Sequence, residues 1–408
     1  MVNFVDSLAE SINDKLRSDV VYFDFAKAFD TVNHDILLSK LKTQYGVNGT
    51  LLKFIVNYLN DRKQRVIIGA NESGLRPVNS GVPQGSIIGP LLFVLFINDI
   101  YKCISSGTNI ALYADHTKIW RQIVSYNDHL ILQRDIDALL DWSSTNKMRF
   151  HPDKCKLLKV TTMREREMDK FPYHLGSKYL DYIPVEKDLG VKMTTNLSWN
   201  EQWDSIIKSA NSRLGLTKRT CHFIKDRRQR LIFYKTMVRS LFQHCAEIWR
   251  PSTKVALDKF EALQKRAVKW IFMEDYEKYT PEIYQQKLQE LGLLSIESRF
   301  KYFDLKLFFR IIYSEVCIKL PEYLQFISPD ELVEGTRRLR QTHKDPLYFV
   351  CNKDRVNVFR NSFFYRTAII LWNGLPLELR LIEDSVNFNV ELKKYLKKLN
   401  SRVNIDPS

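Results

Sequence analysis

Two aspartates stand at the ends of short apolar segments with the composition of β-strands. Asp115 lies between Asn109–Tyr113 and Lys118–Trp120, where the bend of a hairpin would project its carboxylate from a sheet. Asp24 lies near the end of the apolar run Val20–Phe25, a buried position that is costly for a carboxylate unless a cation or hydrogen-bond donors lie close by. If the two strands are neighbours in one sheet, the two carboxylates form a pair that is suited to binding a metal ion.

Three short segments, in a fixed order along the chain, carry a family resemblance. They are Asp24-Phe25-Ala26-Lys27-Ala28-Phe29-Asp30, Gly81-Val82-Pro83-Gln84-Gly85-Ser86 and Tyr113-Ala114-Asp115-His116. Together they resemble the reverse transcriptases of non-LTR retrotransposons, in particular the jockey-like elements. The resemblance implies an α+β fold: a palm made of an antiparallel sheet with helices, then a mainly α-helical thumb and a helical C-terminal extension.

The resemblance also implies a reaction and its ligands. Nucleotide addition in this family is an in-line attack of a primer 3′ hydroxyl on an α-phosphate, assisted by two Mg²⁺ ions roughly 3.5–4 Å apart. The family positions correspond to Asp24 and Asp115 as the carboxylate ligands, with the carbonyl of Phe25 as a further oxygen ligand. The implied partners are an RNA template, a DNA primer and deoxynucleoside triphosphates, and Mn²⁺ could replace Mg²⁺.

One position departs from the family pattern in a way that affects the chemistry. Where the family has Tyr-x-Asp-Asp, this chain has His116 after Asp115. Mg²⁺ prefers hard oxygen ligands, and an imidazole is mostly neutral at pH 7, so one negative charge and one suitable ligand are lost. The sequence therefore predicts impaired catalysis; retuning of the site for a softer ion such as Mn²⁺ is the alternative.

Four further residues match family positions that contact the nucleotide or the template. Phe29 corresponds to the residue that presses against the sugar and excludes a 2′ hydroxyl, although a lone Phe is also typical of core packing. Gln84 and Gly85 follow Pro83 in a loop that suits contact with the templating base, since Gly allows close approach of the backbone. Lys154 matches a lysine that protonates the leaving pyrophosphate, with a solvated surface lysine as the alternative.

Composition agrees with a globular protein that binds a polyanion. The chain has 408 residues, 45% of them hydrophobic, and a formal net charge of +15, which favours a nucleic acid as the partner. The six cysteines are scattered singly, as expected of reduced thiols in an intracellular protein, and family membership would place it in the nucleus. An anionic membrane surface is the weaker interpretation of the charge. The longest apolar run, Ile87–Ile97, is too short to span a membrane, and no membrane partner is predicted.

The strongest positive charge follows the predicted palm. Residues 208–239 contain ten Lys or Arg and one acid, Asp226. In the family this region is a thumb that grips the template–primer duplex, so we expect phosphate-backbone contacts there; a solvated helix face is the alternative. The residues expected to make these contacts are Lys218, Arg219, Lys225, Arg227, Arg228 and Arg230.

The predicted domain organisation is a palm at residues 1–195, a basic thumb at 196–275 and a helical extension at 276–408. Helices are expected from Phe4 to Leu16, after an Asp30 cap and after an Asn127 cap, with a strand at Lys156–Val160. Because only about twenty residues precede Asp24, the fingers and the upstream endonuclease of complete elements are expected to be missing, which suggests a truncated product.

Two functions follow from these observations. The first is RNA-templated DNA synthesis weakened by His116, and the second is a non-catalytic nucleic-acid-binding remnant of such a polymerase. Both predict binding to duplex, and only the first predicts primer extension that depends on a divalent metal. The sequence identifies no protein partner, and a protein-interaction role for the helical C-terminal half is a further, weaker possibility.

Overall fold

The computed structural model describes residues 1–164, 170–326, 347–351 and 356–402, with side chains up to residue 399. The chain divides into two compact units. We call residues 15–186 the sheet unit, and residues 1–14 together with those from 187 onward the helical unit. The predicted division at residues 195 and 275 differs from this, because long-range contacts join the first helix to the C-terminal part of the chain.

The first helix, α1 (Val2–Asn13), confirms the predicted N-terminal amphipathic helix. Its buried Asp6 carboxylate accepts hydrogen bonds from the Tyr323 hydroxyl at 2.8 and 2.7 Å. At its other end, the Asn13 side-chain oxygen accepts a hydrogen bond from the backbone N–H of Val356. These bonds connect residues more than three hundred positions apart, so local patterns in the sequence could not have predicted them.

The sheet unit contains one large sheet and several two-stranded ribbons. Its strands are β1 (Arg17–Asp24), β2 (Lys63–Gln64), β3 (Ile67–Ile68), β4 (Asn71–Glu72), β5 (Arg76–Pro77), β6 (Thr108–Tyr113), β7 (His116–Ile123), β8 (Lys156–Val160), β9 (His174–Leu175), β10 (Lys178–Tyr179) and β11 (Asp181–Tyr182). The large sheet has the order β11-β8-β1-β7-β6. β1 pairs antiparallel with both β7 and β8, and β11 pairs parallel with β8.

The helices of the sheet unit are α2 (Ala28–Thr31), α3 (His34–Thr43), α4 (Gly49–Leu59), α5 (Ile88–Ile97) and α6 (Tyr126–Thr145), with a 3₁₀ segment at Asn98–Cys103. Their apolar faces and the sheet form one core, in which Val21, Phe93 and Leu139 are fully buried. Pro90 is tolerated near the start of α5 because the first N–H groups of a helix have no intrahelical acceptor. The mixed sheet-and-helix architecture confirms the predicted α+β class.

Two predicted helix caps are wrong, because neighbouring side chains make the capping bonds instead. Asp30 lies inside the short α2, and α3 is capped by Asn33, whose side chain accepts a 3.0 Å bond from the N–H of Ile36. Asn127 lies within α6, which begins with a capping box between Ser125 and Asp128. The strand predicted at Lys156–Val160 is confirmed at those residues.

The helical unit contains most of the remaining elements. Its helices are α7 (Asn200–Thr220), α8 (Arg227–Phe233), α9 (Ala246–Trp249), α10 (Lys254–Phe272), α11 (Pro281–Glu290), α12 (Ile296–Ile312), α13 (Asn357–Arg360), α14 (Phe363–Tyr365), α15 (Leu377–Arg380) and α16 (Ser385–Arg402). Strand β12 (Val185–Asp188) begins just before the unit, and β13 (Val191–Thr194), β14 (Leu324–Phe326) and β15 (Phe349–Cys351) lie within it. Tighter or wider helical turns occupy Tyr234–Val238, Arg239–Phe242 and Arg366–Trp372.

A buried ionic cluster ties distant helices of this unit together. The Asp304 carboxylate on α12 accepts a 2.6 Å bond from Arg250 and two 3.1 Å bonds from Arg366. Arg366 also donates to the carbonyl oxygens of Asn361 and Glu247. Because every charge in the cluster has partners, the cluster holds α12 and the Arg366 segment in one arrangement.

Across the ranges that the structure describes, no helix combines the length and the apolar character needed to cross a membrane.

Candidate active site

The two predicted acid-bearing strands are neighbours in the large sheet. In the antiparallel pairing of β1 with β7, Asp24 lies directly opposite His116. Tyr113 at the end of β6 pairs with His116 at the start of β7, so Ala114 and Asp115 form the two-residue connection between them. The hairpin predicted around Asp115 is therefore confirmed, and it brings Asp24, Asp115 and His116 to the same end of the sheet.

The hairpin connection contains an unusual backbone conformation. Ala114 has φ +51°, in the left-handed region that costs a residue with a Cβ about 1–2 kcal/mol. Flanking strands that are paired along their whole length hold the turn in place despite this cost. Strained positions of this kind are often found at functional sites, which agrees with the position of Asp115 next to Ala114.

Asp24 has a cation beside it. The Lys154 ammonium lies 3.2 Å from the Asp24 carboxylate, and the backbone N–H of His151 donates a 2.8 Å bond to the Asp24 carbonyl. The cation that a carboxylate needs at a strand end is thus supplied by the segment just before β8. Burial raises the pKa of the neighbouring Cys155 thiol to about 11, so this cysteine is not a nucleophile at neutral pH.

The aromatic residues of the first motif are fixed by stacking. Phe25 is buried and stacks on Phe150 with ring centroids 4.5 Å apart, which orients the backbone next to Asp24. Phe29 is half-buried and stacks on Phe93 of α5 at 4.4 Å. Phe29 therefore packs against the core with part of its ring, while the exposed part of the ring remains available to a ligand.

A carboxylate that the sequence analysis predicted only as a helix cap, with no part in the site, positions the predicted template-contacting loop. The Gln84 side-chain amide donates a 3.0 Å bond to Asp30, and the Ser80 hydroxyl donates to the Asp30 carbonyl. Gly85 has φ +79° and open space where a Cβ would lie. The signal available in the sequence was Asp30 itself, the last residue of the first motif.

A cleft of about 410 Å³ lies beside this loop and has a positive lining. The cleft is lined by three cations, Lys27, Arg62 and Lys63, by one acid, Asp30, and by residues 77–83. Arg62 and Lys63 come from the start of the β2–β5 ribbon, and sequence reasoning did not consider them. The charge and size of the cleft suit a phosphate-bearing ligand.

The donor set does not match a pair of closely spaced metal ions. Among the residues that the structure describes, no group of three His, Cys, Asp or Glu side chains is arranged to hold a metal. Asp24 and Asp115 provide two carboxylates, and His116 provides an imidazole that suits Mg²⁺ poorly. These donors fit one Mg²⁺ that takes its other ligands from water and nucleotide phosphates, and they do not fit a second ion held by protein oxygens.

The six basic residues predicted to contact nucleic acid have different environments in the helical unit. Arg219, Lys225 and Arg228 are exposed, and Arg227 is exposed but lies 3.2 Å from Glu290. Lys218 lies 2.6 Å from Asp275.

Arg230 differs from the others because its side chain is buried. It donates to the carbonyl oxygens of Ile224 and Trp270, and its guanidinium lies over the Trp270 ring. Arg230 is therefore a structural residue, and we remove it from the predicted phosphate-binding set.

One protein-family model matches the part of the chain that carries the candidate active site. Residues 6–188 match the model of the family described as reverse transcriptase (RNA-dependent DNA polymerase). All the site residues between Asp24 and Lys154 fall inside that match, and the basic residues from Lys218 onward fall outside it.

Two curated relatives come from Drosophila melanogaster. One is the probable RNA-directed DNA polymerase from transposon BS, 25% identical over 65% of this chain and 30% of its own length. The other is the RNA-directed DNA polymerase from mobile element jockey, 23% identical over 72% of this chain and 32% of its own length. The chain thus spans about a third of the length of these relatives.

Among solved structures, a telomerase from Candida albicans aligns with a TM-score of 0.40 and 10% identity, covering 74% of this chain and 48% of that one.

Proposed function

We propose, from the match of residues 6–188 to the reverse transcriptase family, that this chain is the polymerase part of a jockey-like non-LTR retrotransposon whose RNA-templated DNA synthesis is impaired at His116. The observation that carries the proposal is the position of His116 directly opposite Asp24, next to Asp115. The substrates of this reaction are an RNA template, a DNA primer and deoxynucleoside triphosphates.

Each part of the site has a role in this proposal. Asp24 and Asp115 would hold one Mg²⁺, with the Phe25 carbonyl as a candidate further ligand, and the bound ion would stabilise charge on the reacting phosphate. Lys154 supplies a proton donor next to Asp24. Phe29 would limit the space at the sugar, while the loop of Gln84 and Gly85 would contact the template base.

The cleft lined by Lys27, Arg62 and Lys63 supports nucleotide binding, because three cations close to one carboxylate leave a net positive field for phosphates. In the helical unit, the exposed Arg219, Lys225 and Arg228 would contact the nucleic-acid backbone. These contacts lie outside the segment that matches the family.

The expected size of the defect follows from electrostatics. Two unit charges about 4 Å apart interact by about 4 kcal/mol at an effective dielectric constant near 20. If half or all of this stabilisation is lost in the transition state when a carboxylate becomes an imidazole, the rate falls roughly 30- to 1,000-fold. We therefore expect slow extension rather than none.

A non-catalytic nucleic-acid-binding remnant is the second candidate. The 3.2 Å contact between Lys154 and Asp24 favours it, because the ammonium lies next to the carboxylate that would hold a cation. The remnant predicts duplex binding that falls steeply with salt, with no nucleotide addition in any metal.

Primer extension on an RNA template separates the two candidates. The native chain, His116→Asp and Asp24→Ala are compared in Mg²⁺ and separately in Mn²⁺, with Asp153→Ala as a control for loss of a nearby acid. Our proposal expects extension by His116→Asp to exceed that of the native chain by at least about 30-fold, and expects Asp24→Ala to abolish it. If the native chain and His116→Asp both bind duplex but neither extends a primer, the impaired-polymerase proposal is wrong. The chain is then a non-catalytic nucleic-acid-binding remnant.

A further inference from the structure

Two aromatic residues of the helical unit are exposed on loops between helices. The side chain of Phe223, between α7 and α8, is 68% exposed, and that of Tyr276, between α10 and α11, is 102% exposed. A single exposed apolar residue is common on protein surfaces and indicates nothing by itself. Two exposed rings on neighbouring loops, one of them in the basic segment 208–239, are a different case, because each ring presents a flat face to a partner.

Ion-pair and ring contacts bring the two loops together. Lys218, in the last turn of α7, lies 2.6 Å from Asp275, the residue before Tyr276. The Arg227 guanidinium, at the start of α8, lies 4.5 Å from the centroid of the Phe272 ring at the end of α10. We call the surface formed by residues 219–228 and 273–278 the aromatic platform.

The Phe223 ring is held by its neighbour. The His222 and Phe223 rings lie nearly at right angles, with centroids 5.8 Å apart and an interplanar angle of 86°. His222 Nδ1 lies 2.9 Å from the Arg219 carbonyl oxygen, and can donate to it. A ring that is already restrained loses less conformational entropy when a ligand binds to it.

Three cations without carboxylate partners lie close to Phe223 in the sequence. In the parts of the chain that the structure covers, Arg219, Lys225 and Arg228 form no ion pair and are exposed. They are therefore available for phosphate groups at a lower desolvation cost than a cation that must first leave a carboxylate.

Most acids of the platform are already engaged. Asp226 caps α8 by accepting from the N–H of Gln229, and Asp275 pairs with Lys218. Glu274 accepts from Tyr279 and pairs with Lys287 at 2.9 Å. Glu277 is the exposed acid that remains, so the available charge of the platform is positive.

We propose that the aromatic platform binds single-stranded nucleic acid, with bases stacked on Phe223 and Tyr276 and phosphates contacted by Arg219, Lys225 and Arg228. Proteins bind single strands through exposed aromatic rings combined with cations, because every base has a flat face that can stack on a ring. A duplex has no free base faces except at its ends, so the rings add nothing to duplex binding. The inference rests on the proposed function only in taking a nucleic acid as the partner.

The test is equilibrium binding of the full chain, followed by fluorescence anisotropy, to oligo(dT), oligo(U), an abasic oligonucleotide of equal length and a DNA duplex. Phe223→Ala and Tyr276→Ala are each expected to weaken binding to the single strands roughly ten-fold, because stacking of one base contributes a factor of this order. Both variants are expected to bind the abasic strand and the duplex like the native chain.

Conservative and matched variants separate stacking from other effects. Phe223→Tyr is expected to bind single strands like the native chain and Phe223→Leu to bind them as weakly as Phe223→Ala, since only tyrosine keeps an aromatic face. Leu216→Ala, which removes an apolar side chain 50% exposed on α7, is expected to change nothing. Circular dichroism of every variant checks that it is folded.

The outcomes also distinguish this inference from the proposed function. If Phe223→Ala weakens binding to the abasic strand as much as binding to oligo(dT), Phe223 does not act by stacking on bases and the inference is wrong. If the native chain binds duplex but no single strand, the platform proposal fails while the polymerase proposal stands. If oligo(U) and oligo(dT) bind equally, the platform recognises the bases and backbone that RNA and DNA share; a preference for oligo(U) would assign RNA as the ligand.

Discussion

His116 lies opposite Asp24 across the central antiparallel pair of the sheet, and this register determines which atoms can act together. The residue at position 116 starts its strand immediately after the hairpin connection that carries Asp115. A change of side chain at this position therefore alters the same end of the sheet as Asp24 and Asp115. For that reason a single substitution is enough to test whether the site is impaired.

Lys154 competes with a metal ion for Asp24, which gives the first prediction. In the His116→Asp background, Lys154→Met should raise the affinity for Mg²⁺ about five-fold. The largely exposed Lys154 ammonium lies 3.2 Å from Asp24 and would repel a Mg²⁺ ion bound there, and its removal relieves about 1 kcal/mol of this screened repulsion. Isothermal titration calorimetry measures the affinity. The matched control is Lys156→Met, which removes a lysine that pairs with Asp181.

The same variant tests the proton-donor role of Lys154. If Lys154 protonates the leaving pyrophosphate, Lys154→Met should slow single-turnover extension about 100-fold or more even though the metal binds more tightly. An unchanged extension rate would remove Lys154 from the catalytic residues, and an equal gain of metal affinity in Lys156→Met would show that the effect is one of general charge.

The second prediction concerns two glycines of the loop that carries Gln84. Gly81 and Gly85 both have positive φ, but a Cβ on Gly81 would lie 2.8 Å from the backbone Cα of Asp30, whereas a Cβ on Gly85 would meet no atom within 4 Å. We expect Gly81→Ala to destabilise the protein by about 3 kcal/mol or more and Gly85→Ala by about 1–2 kcal/mol.

Urea unfolding followed by tryptophan fluorescence measures both changes. Because Gly81 also lines the cleft proposed to bind phosphates, displacement of this loop should reduce nucleotide binding as well. Equal destabilisation by the two substitutions would show that the positive φ, and not the close approach to Asp30, causes most of the loss of stability.

The third prediction contrasts two arginines of the basic segment. Arg228→Ala should change stability by less than about 0.5 kcal/mol and reduce the slope of log K against log[salt] for duplex by about 0.9, because one phosphate contact is lost. Arg230→Ala should cost about 3 kcal/mol of stability, because buried carbonyl oxygens lose their donor.

Filter binding across a salt series, together with urea unfolding, gives both quantities. A salt slope that is unchanged in Arg228→Ala would show that this residue does not contact a phosphate. A stable Arg230→Ala variant would contradict its structural role.

The fourth prediction is a pH dependence that originates in the helical unit. Burial raises the pKa of the Asp6 carboxyl from 3.8 to about 7, against the effect of the hydrogen bonds from Tyr323. The folded state therefore binds more protons than the unfolded state between pH 4 and 7, and stability from this group falls as the pH rises through that window. The full loss would be up to about 4 kcal/mol.

Asp6→Asn should remove this component, so that the difference in unfolding free energy between pH 5 and pH 8 becomes smaller. Thermal or urea unfolding at the two pH values measures it, with Asp14→Asn near the end of the same helix as the control. If the wild-type protein loses no more stability between pH 5 and pH 8 than the Asp6→Asn variant does, the assignment of Asp6 as a buried carboxyl with a raised pKa is wrong.

The sequence by itself determined the resemblance to the reverse transcriptases of non-LTR retrotransposons, the α+β class, the strand that ends at Asp24, and the hairpin around Asp115. These features are local, since apolar runs, turn residues and short motifs act over a few positions and can be recognised without knowledge of the rest of the chain. The strand at Lys156–Val160 was predictable for the same reason.

Only the tertiary structure decided which distant residues meet. In the folded chain Lys154 lies against Asp24, and Asp30 accepts a hydrogen bond from the Gln84 side chain. Arg230 is buried, although the residues just before it in the sequence are exposed. The tertiary structure also joined α1 to the C-terminal part of the chain through Asp6 and Tyr323. Such pairings depend on how complete elements pack, and the burial that results decides whether a charged side chain binds a ligand or supports the fold.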